Sequence, residues 1–205
     1  MDRAKNKVDR KKILAESLRN SNNTKYDNGL YPNANECLNL ALCCVSSENK
    51  DAELFFNRAL IGAQKSNAII FIPEFYLYRA DFYLTQNQPE SALADLNSAG
   101  EIIERCGMKL YAVDYSLIHG RYSLATDDID TALNHYEEAK QLIEETGYHL
   151  RDAELDLLAA QICQKHGNLA GKNADFYLQK AKHRIEEIGQ WGLMPRWQKV
   201  ADILR

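Results

Sequence analysis

A pattern of two alanines around a large apolar residue recurs four times along this chain at a nearly constant spacing. In each copy the large residue follows the first alanine by four positions, and the second alanine comes three positions later. The four copies are Ala52-Phe56-Ala59, Ala92-Leu96-Ala99, Ala132-Tyr136-Ala139 and Ala174-Leu178-Ala181. Their first alanines lie 40, 40 and 42 residues apart. A period of this length indicates stacked repeats, because each unit needs its neighbours to bury its apolar face.

A residue that commonly ends helices follows each copy, eight positions after its second alanine. These residues are Asn67, Gly107, Gly147 and Gly189. Gly and Asn adopt the left-handed backbone conformation that terminates many helices. We therefore expect each copy to lie on the second helix of a helix pair, called helix B, after a first helix, called helix A.

The 3.6-residue spacing of apolar residues predicts the bounds of these helices. Helix A is expected at about residues 34–46, 74–86, 111–124 and 152–165, and helix B at about 50–66, 89–106, 128–146 and 173–188. Pro89 suits the first turn of a helix, and Asp127 or Asp128 suits an N-cap. Lys11 to Leu18 is expected to form a short helix, and Pro195 to Arg205 a helix that caps the last repeat.

The net charge of −4 is unevenly distributed along the 205 residues. Residues 1–12 hold six Lys or Arg and two Asp, a net of +4, which leaves −8 for the rest (−4 minus +4). An acidic body argues against nucleic acid as the main partner, since phosphate binding needs clustered cations. Residues 1–32 are expected to form a solvated, partly disordered basic leader, with docking to an acidic partner as the alternative.

The sequence indicates neither a membrane span nor a secreted protein. Mean hydropathy is −0.46, and no uncharged apolar run approaches the roughly 18 residues that a membrane helix needs. The first residues, Met-Asp-Arg-Ala-Lys-Asn-Lys, have no apolar core behind them and do not resemble a secretory signal. We expect a cytoplasmic protein with no membrane partner.

The cysteines and histidines do not form a recognisable chemical site. Five cysteines at irregular spacing argue against a disulfide framework. Cys163 and His166 form a lone C-x-x-H, whereas a structural zinc site usually needs four ligands. The five histidines share no carboxylate spacing, and no P-loop, G-x-S-x-G or H-E-x-x-H is present. We expect no metal, no cofactor and no catalysis.

Residues within the helix pairs resemble those of a known repeat family. The second repeat carries Tyr76, Ala80, Tyr83, Ala92, Leu96 and Ala99; the third carries Gly120, Ala132, Tyr136 and Ala139; the fourth carries Ala160, Gly167, Ala174, Leu178 and Ala181; the first carries Ala41, Ala52, Phe56 and Ala59. This set resembles the tetratricopeptide repeat (TPR). The small residues belong where the helices of a pair cross closely, and a larger side chain there would force them apart.

The resemblance implies an all-α fold, a right-handed α-α superhelix or TPR-like solenoid. Four helix-turn-helix repeats would fill residues 33–193, with a C-terminal capping helix at 194–205. The sequence departs from the family at Ser116 and Ser123, which stand where aromatics are expected, and at Ala41, which is one residue out of register. The long period and the stretch Ile143 to Leu155 also resemble arrays of bacterial signalling proteins.

In the family, helix A lines a concave groove that binds partners. Carried onto this chain, the resemblance implies a groove formed by Glu74, Leu77, Tyr78, Asp81, Asp114, Leu117, Ile118, Arg121, Glu154, Leu157, Leu158 and Gln161. Leu77, Leu117 and Leu157 would make an apolar stripe along it. Carboxylates recurring at the same period would make an acidic edge. Family members that clamp a C-terminal carboxylate use Lys at one groove position and Asn at another. In the second, third and fourth repeats of this chain the first of these positions holds Leu, and the other holds Asp, Arg or Gln.

These features together predict a non-catalytic scaffold for protein–protein interaction. Its groove would bind an apolar or amphipathic peptide segment with basic flanks. The alternative is a peptide-sensing regulatory domain of a bacterial signalling system. A further alternative is that the repeat array curls tightly and buries the apolar stripe against itself, so that the stripe is not exposed to a partner. Assembly of the chain into a homo-oligomer is a further alternative.

Overall fold

The computed structural model describes residues 34–46 and 51–203, and in these residues the regular secondary structure is helical. The predicted leader and its helix at Lys11 to Leu18 lie outside them. The described helices are α1 (Ala34–Ser46), α2 (Ala52–Lys65), α3 (Ile72–Thr85), α4 (Pro89–Cys106), α5 (Lys109–Ala125), α6 (Ile129–Thr146), α7 (Asp152–His166), α8 (Ala174–Ile188) and α9 (Met194–Ile203). Short 3₁₀ turns at Ile69–Phe71, His149–Arg151 and Trp191–Leu193 precede α3, α7 and α9.

The helix ends follow the signals in the sequence. Gly107, Gly147 and Gly189 have φ angles of 63°, 70° and 74° and end α4, α6 and α8. The Asp128 carboxylate caps α6 by accepting the Thr131 backbone N–H at 3.1 Å, which confirms the predicted N-cap. The expected division into helix A and helix B is therefore confirmed from residue 51 to 203.

The described residues divide into two compact units, with the boundary between Phe82 and Tyr83. In the first unit α1 and α2 pack side by side. The ring centroids of Phe56 and Phe82 lie 5.6 Å apart, and Arg79 donates a hydrogen bond to the Asn57 side chain. Ala59 on α2 is fully buried. The alanine pattern of the first repeat therefore lies in the core of this unit.

In the second unit, neighbouring helices pack in pairs around a continuous core. α5 packs on α6 and α7 on α8, while α4 contacts α5 and α6 contacts α7. The pattern residues of the later repeats belong to this interior: Ala92, Leu96, Ala99, Ala132, Ala139 and Ala181 are fully buried. α9 packs on α8 and α7, and its Trp197 Nε1 donates to the Leu178 carbonyl at 2.8 Å.

No helix in the described residues combines the length and the apolar character that crossing a bilayer requires. The longest helices, α4 and α6, each carry several charged side chains.

Gly120 on α5 lies at a close approach between successive repeats. A Cβ atom built on it would lie 2.8 Å from Leu158 Cδ2 on α7 and 3.6 Å from the Ala132 carbonyl oxygen on α6. The close crossing predicted within the third repeat is therefore also a contact with the fourth. Leu158 is 1% exposed, so its side chain has little room to move aside.

Enlarging Gly120 should destabilise the protein. Gly120→Ala should cost about 1–3 kcal/mol through overpacking, partly offset by about 1 kcal/mol of better helix propensity, and Gly120→Leu should destabilise the protein by clearly more. Gly192→Ala is the matched control, because nothing lies within 4 Å of a Cβ built there. Denaturant unfolding followed by circular dichroism measures both variants. A Gly120→Leu variant with the midpoint of the parent would show that the assigned contact is wrong.

Candidate functional site

The residues expected to bind a partner lie on three A helices. They are Glu74, Leu77, Tyr78 and Asp81 on α3, Asp114, Leu117, Ile118 and Arg121 on α5, and Glu154, Leu157, Leu158 and Gln161 on α7. The α5 and α7 residues belong to the second unit, where the two helices touch directly. We call the surface that α5 and α7 form with these side chains the inner wall.

The leucines of the expected apolar stripe are buried. Leu77, Leu117 and Leu157 are 3%, 2% and 1% exposed, and Leu158 is 1% exposed. Leu117 and Leu157 belong to the core of the second unit. This burial favours the self-packing alternative over an open stripe. The physical reason in the second unit is the direct contact of α5 with α7, which turns leucines at the shared face inward.

Because Leu117 is buried, we expect a charged substitution at this position to destabilise the fold. Leu117→Asp should lower the free energy of unfolding by several kcal/mol, because the carboxylate would leave water without a partner. Leu110→Asp places the same change on the same helix at a side chain that is 52% exposed, and it should shift stability by only about 0.5 kcal/mol. Thermal melts of the two variants compare these effects. Similar melting temperatures for the two variants would instead support an exposed apolar stripe.

The polar side chains of the inner wall are joined by ion pairs. Arg151 Nη1 lies 2.8 Å from Glu154 Oε1, and Arg151 Nη2 donates to Asp114 Oδ2 at 3.2 Å. Arg196 Nη1 on α9 lies 3.9 Å from Glu154 Oε2. Asp114 and Glu154, two of the carboxylates of the expected acidic edge, are therefore paired with arginines, which reduces the negative charge there.

Sequence reasoning missed both arginines. Arg151 stands three residues before Glu154, and this spacing is a detectable signal for a helical ion pair. Arg196 lies on α9, and no local spacing relates it to Glu154. Only the packing of α9 against α7 brings the two together.

The pKa values of two arginines of the wall are shifted in opposite directions. Burial lowers the pKa of Arg151, but Glu154 and Asp114 outweigh it, so the net pKa is raised. The pKa of Arg121 is lowered well below its ordinary value, first by burial and then by repulsion from Arg196, with Glu154 opposing. Glu154 thus attracts the guanidinium groups of several arginines. The wall concentrates cationic hydrogen-bond donors in partly buried surroundings.

Gln161 carries an unused acceptor at the wall. It follows Glu154 by seven residues, which places it two helical turns further along the same face of α7. Its Oε1 atom is buried and accepts no hydrogen bond from the described residues. Buried polar atoms in native proteins nearly always have a partner. Gln161 as a whole is only half-buried, so a rotation of its side-chain amide would present this acceptor to a donor from a ligand.

A second polar cluster joins α5 to α6. The His119 and His135 ring centroids lie 4.1 Å apart. Glu138 Oε2 lies 3.0 Å from His135 Nδ1 and accepts the Ser116 hydroxyl at 3.0 Å. Tyr115 contacts both rings. The buried Ser116 donates to the carboxylate instead of a histidine, so this arrangement lacks the contact by which a base activates a serine.

The cluster should make stability depend on pH. The pKa of His119 is lowered, first by burial and next by His135, against weaker opposition from Glu138 and Asp128. As the pH falls, His119 in the unfolded chain therefore takes up a proton near the ordinary histidine pKa of about 6.5, before His119 in the folded chain does. Stability should fall as pH drops below that value.

Denaturant unfolding at pH 7.5 and pH 5.5 measures this effect. The parent should lose stability at the lower pH, and His119→Gln should lose less. His183→Gln is the control, because that side chain is exposed on α8. Identical pH dependence in the parent and His119→Gln would contradict the assignment.

The described residues contain no group of three or more His, Cys, Asp and Glu side chains placed to hold a metal ion. In the C-x-x-H pair, Cys163 is buried, and its Sγ lies 3.6 Å from the Lys172 carbonyl oxygen. His166 Nδ1 instead lies 3.3 Å from the Asn168 carbonyl oxygen. The two side chains thus have separate local partners.

Comparisons with protein-family models, curated proteins and solved structures find no match for this chain. The resemblance to the TPR family therefore rests on the residues quoted from the sequence.

Proposed function

We propose that this protein is a non-catalytic interaction module whose repeats build a TPR-like superhelix. Its inner wall binds a polar segment of a partner protein in the cytoplasm. The proposal keeps the expected location on the A helices but changes the chemistry of the ligand, because the leucines of the stripe are buried. A polar or charged segment fits the accessible atoms of the wall better than an apolar one.

The observation that carries the proposal is the buried Oε1 atom of Gln161, which has no hydrogen-bond donor in the described residues. An unpartnered buried acceptor costs about 1–3 kcal/mol. A backbone N–H of a bound segment would remove that cost. We infer that this acceptor marks the part of the wall that a ligand contacts.

The surrounding ion pairs support the same interpretation. Arg151 is held by two carboxylates on different helices, so its position is fixed before a ligand arrives. Fixed side chains lose little conformational freedom on binding, which favours affinity. Repulsion between Arg121 and Arg196 would be relieved by an acidic group on the ligand. The wall is suited to a segment that combines backbone donors with a carboxylate.

Replacing Gln161 by Leu separates binding from stability. Gln161→Leu removes an unsatisfied acceptor, so the free energy of unfolding should stay constant or rise. Partner binding should fall sharply. Gln164→Leu is the matched control on the same helix, because Gln164 Nε2 donates to the Val200 carbonyl at 2.8 Å. That variant should lose about 1–3 kcal/mol of stability and retain binding below its melting temperature.

The binding measurement compares proteins captured from native lysate by the immobilised parent and both variants. Partners retained by Gln164→Leu and lost by Gln161→Leu would support the proposal. A Gln161→Leu variant that melts well below the parent would show that the side chain is structural. Capture of only a heat-stable small peptide would instead favour peptide sensing.

A further inference from the structure

Exposed apolar side chains recur at the corners between repeats, where one helix B ends and the next helix A begins. In the second unit Leu110 is 52% exposed, Leu150 50% and Trp191 59%. They lie 40 and 41 residues apart, close to the repeat period. A single exposed apolar side chain is ordinary, but a contiguous exposed apolar patch marks an interaction site.

Side-chain contacts show that these corners are neighbours. Gln190 Nε2, next to Trp191, donates to the Leu150 carbonyl at 2.9 Å. Lys109, next to Leu110, reaches Glu145 near the end of α6 at 3.4 Å. Ile188 adds a further side chain, 49% exposed, beside Trp191. We call the surface formed by Leu110, Leu150, Ile188 and Trp191 the corner rim.

The helix ends beside the corner rim carry an unfavourable charge. α6 ends with Glu144 and Glu145, α8 with Glu186 and Glu187, and neither helix has a basic residue in its last turn. The carbonyl end of a helix is partially negative, so carboxylates there cost stability and cations are favoured.

Part of this charge is already compensated. Lys109 lies 3.4 Å from Glu145, and Lys182 lies 4.0 Å from Glu186. Glu187 lies 3.9 Å from His183 Nε2, a partner that is charged only when protonated, and Glu144 has no ion-pair partner among the described residues. The charge that lacks a Lys or Arg partner therefore lies on one carboxylate at each helix end, close in sequence to the corner rim.

We propose that the corner rim binds a segment of another protein that combines apolar and basic side chains. The apolar side chains would cover Trp191, Leu150 and Leu110, and the cations would approach Glu144 and Glu187. Trp is the residue type most enriched among interface side chains with large binding energies. This surface is separate from the inner wall, so the inference holds whether or not the wall binds a ligand.

The charge of the rim distinguishes this partner from other occupants. A membrane surface is neutral or anionic, and it would bring no cations to balance the carboxylates without also presenting phosphates. A second copy placed rim to rim would bring Glu144 and Glu187 of each copy toward the other copy's carboxylates. A basic and apolar segment is complementary in both respects.

The test uses the full chain and a fluorescent synthetic peptide of Leu and Lys, with leucines at i, i+3, i+4 and i+7. Fluorescence anisotropy measures the dissociation constant. Trp191→Ser should weaken binding by about tenfold or more. Glu144→Gln should weaken it severalfold, whereas Glu137→Gln should not. Glu137 lies on the same helix, is exposed, and its loss changes the net charge equally.

Three results would overturn the proposal. The first is equal weakening by Glu137→Gln and Glu144→Gln, which would indicate general charge attraction. The second is sedimentation of the chain as a dimer that Trp191→Ser dissociates, which would assign the rim to a second copy. The third is binding to neutral phosphatidylcholine vesicles that Trp191→Ser abolishes. Gln161→Leu should leave peptide affinity unchanged, which separates this surface from the inner wall.

Discussion

Close contact between helices at positions that hold only small side chains is the constraint on which the second unit depends. Ala92, Ala99, Ala132, Ala139 and Ala181 are fully buried. At Gly120 even a methyl group would meet Leu158. Because these backbones approach so closely, α5 is held both by its own B helix, α6, and by α7 of the next repeat. The arrangement of the polar residues follows from this packing, since it decides which side chains face inward.

The same packing explains how much could be predicted from the sequence. The alanine period gave the number and type of helices from residue 51 to 203, and terminal signals such as Gly107 and Asp128 gave their ends. Local rules suffice for these features, because caps and left-handed glycines act within a turn. The burial of Leu117 could not be read in this way. A leucine on an A helix has the same local signal whether the neighbouring repeat covers it or leaves it open.

The inner wall shows the same limit for charge. Asp114 and Glu154 share a repeat position, and the sequence alone suggested an acidic edge there. Arg151 comes from a turn and Arg196 from the last helix, so only the packed structure reveals that they neutralise it. The desolvation of such side chains can cancel much of the attraction in an ion pair between them. Its value here lies in fixing the position of the side chains at a surface that two helices share.

The corner rim presents the opposite case, in which charge is only partly balanced. Carboxylates at the ends of α6 and α8 oppose the helix dipole, while Arg105 occupies the favourable position at the end of α4. Packing does not require Glu144 or Glu187, because both are exposed. An exposed side chain that disfavours its own helix contributes nothing to folding that a lysine would not provide better. Together with an exposed Trp191, it is more consistent with recognition of a cationic partner than with stability of the free protein.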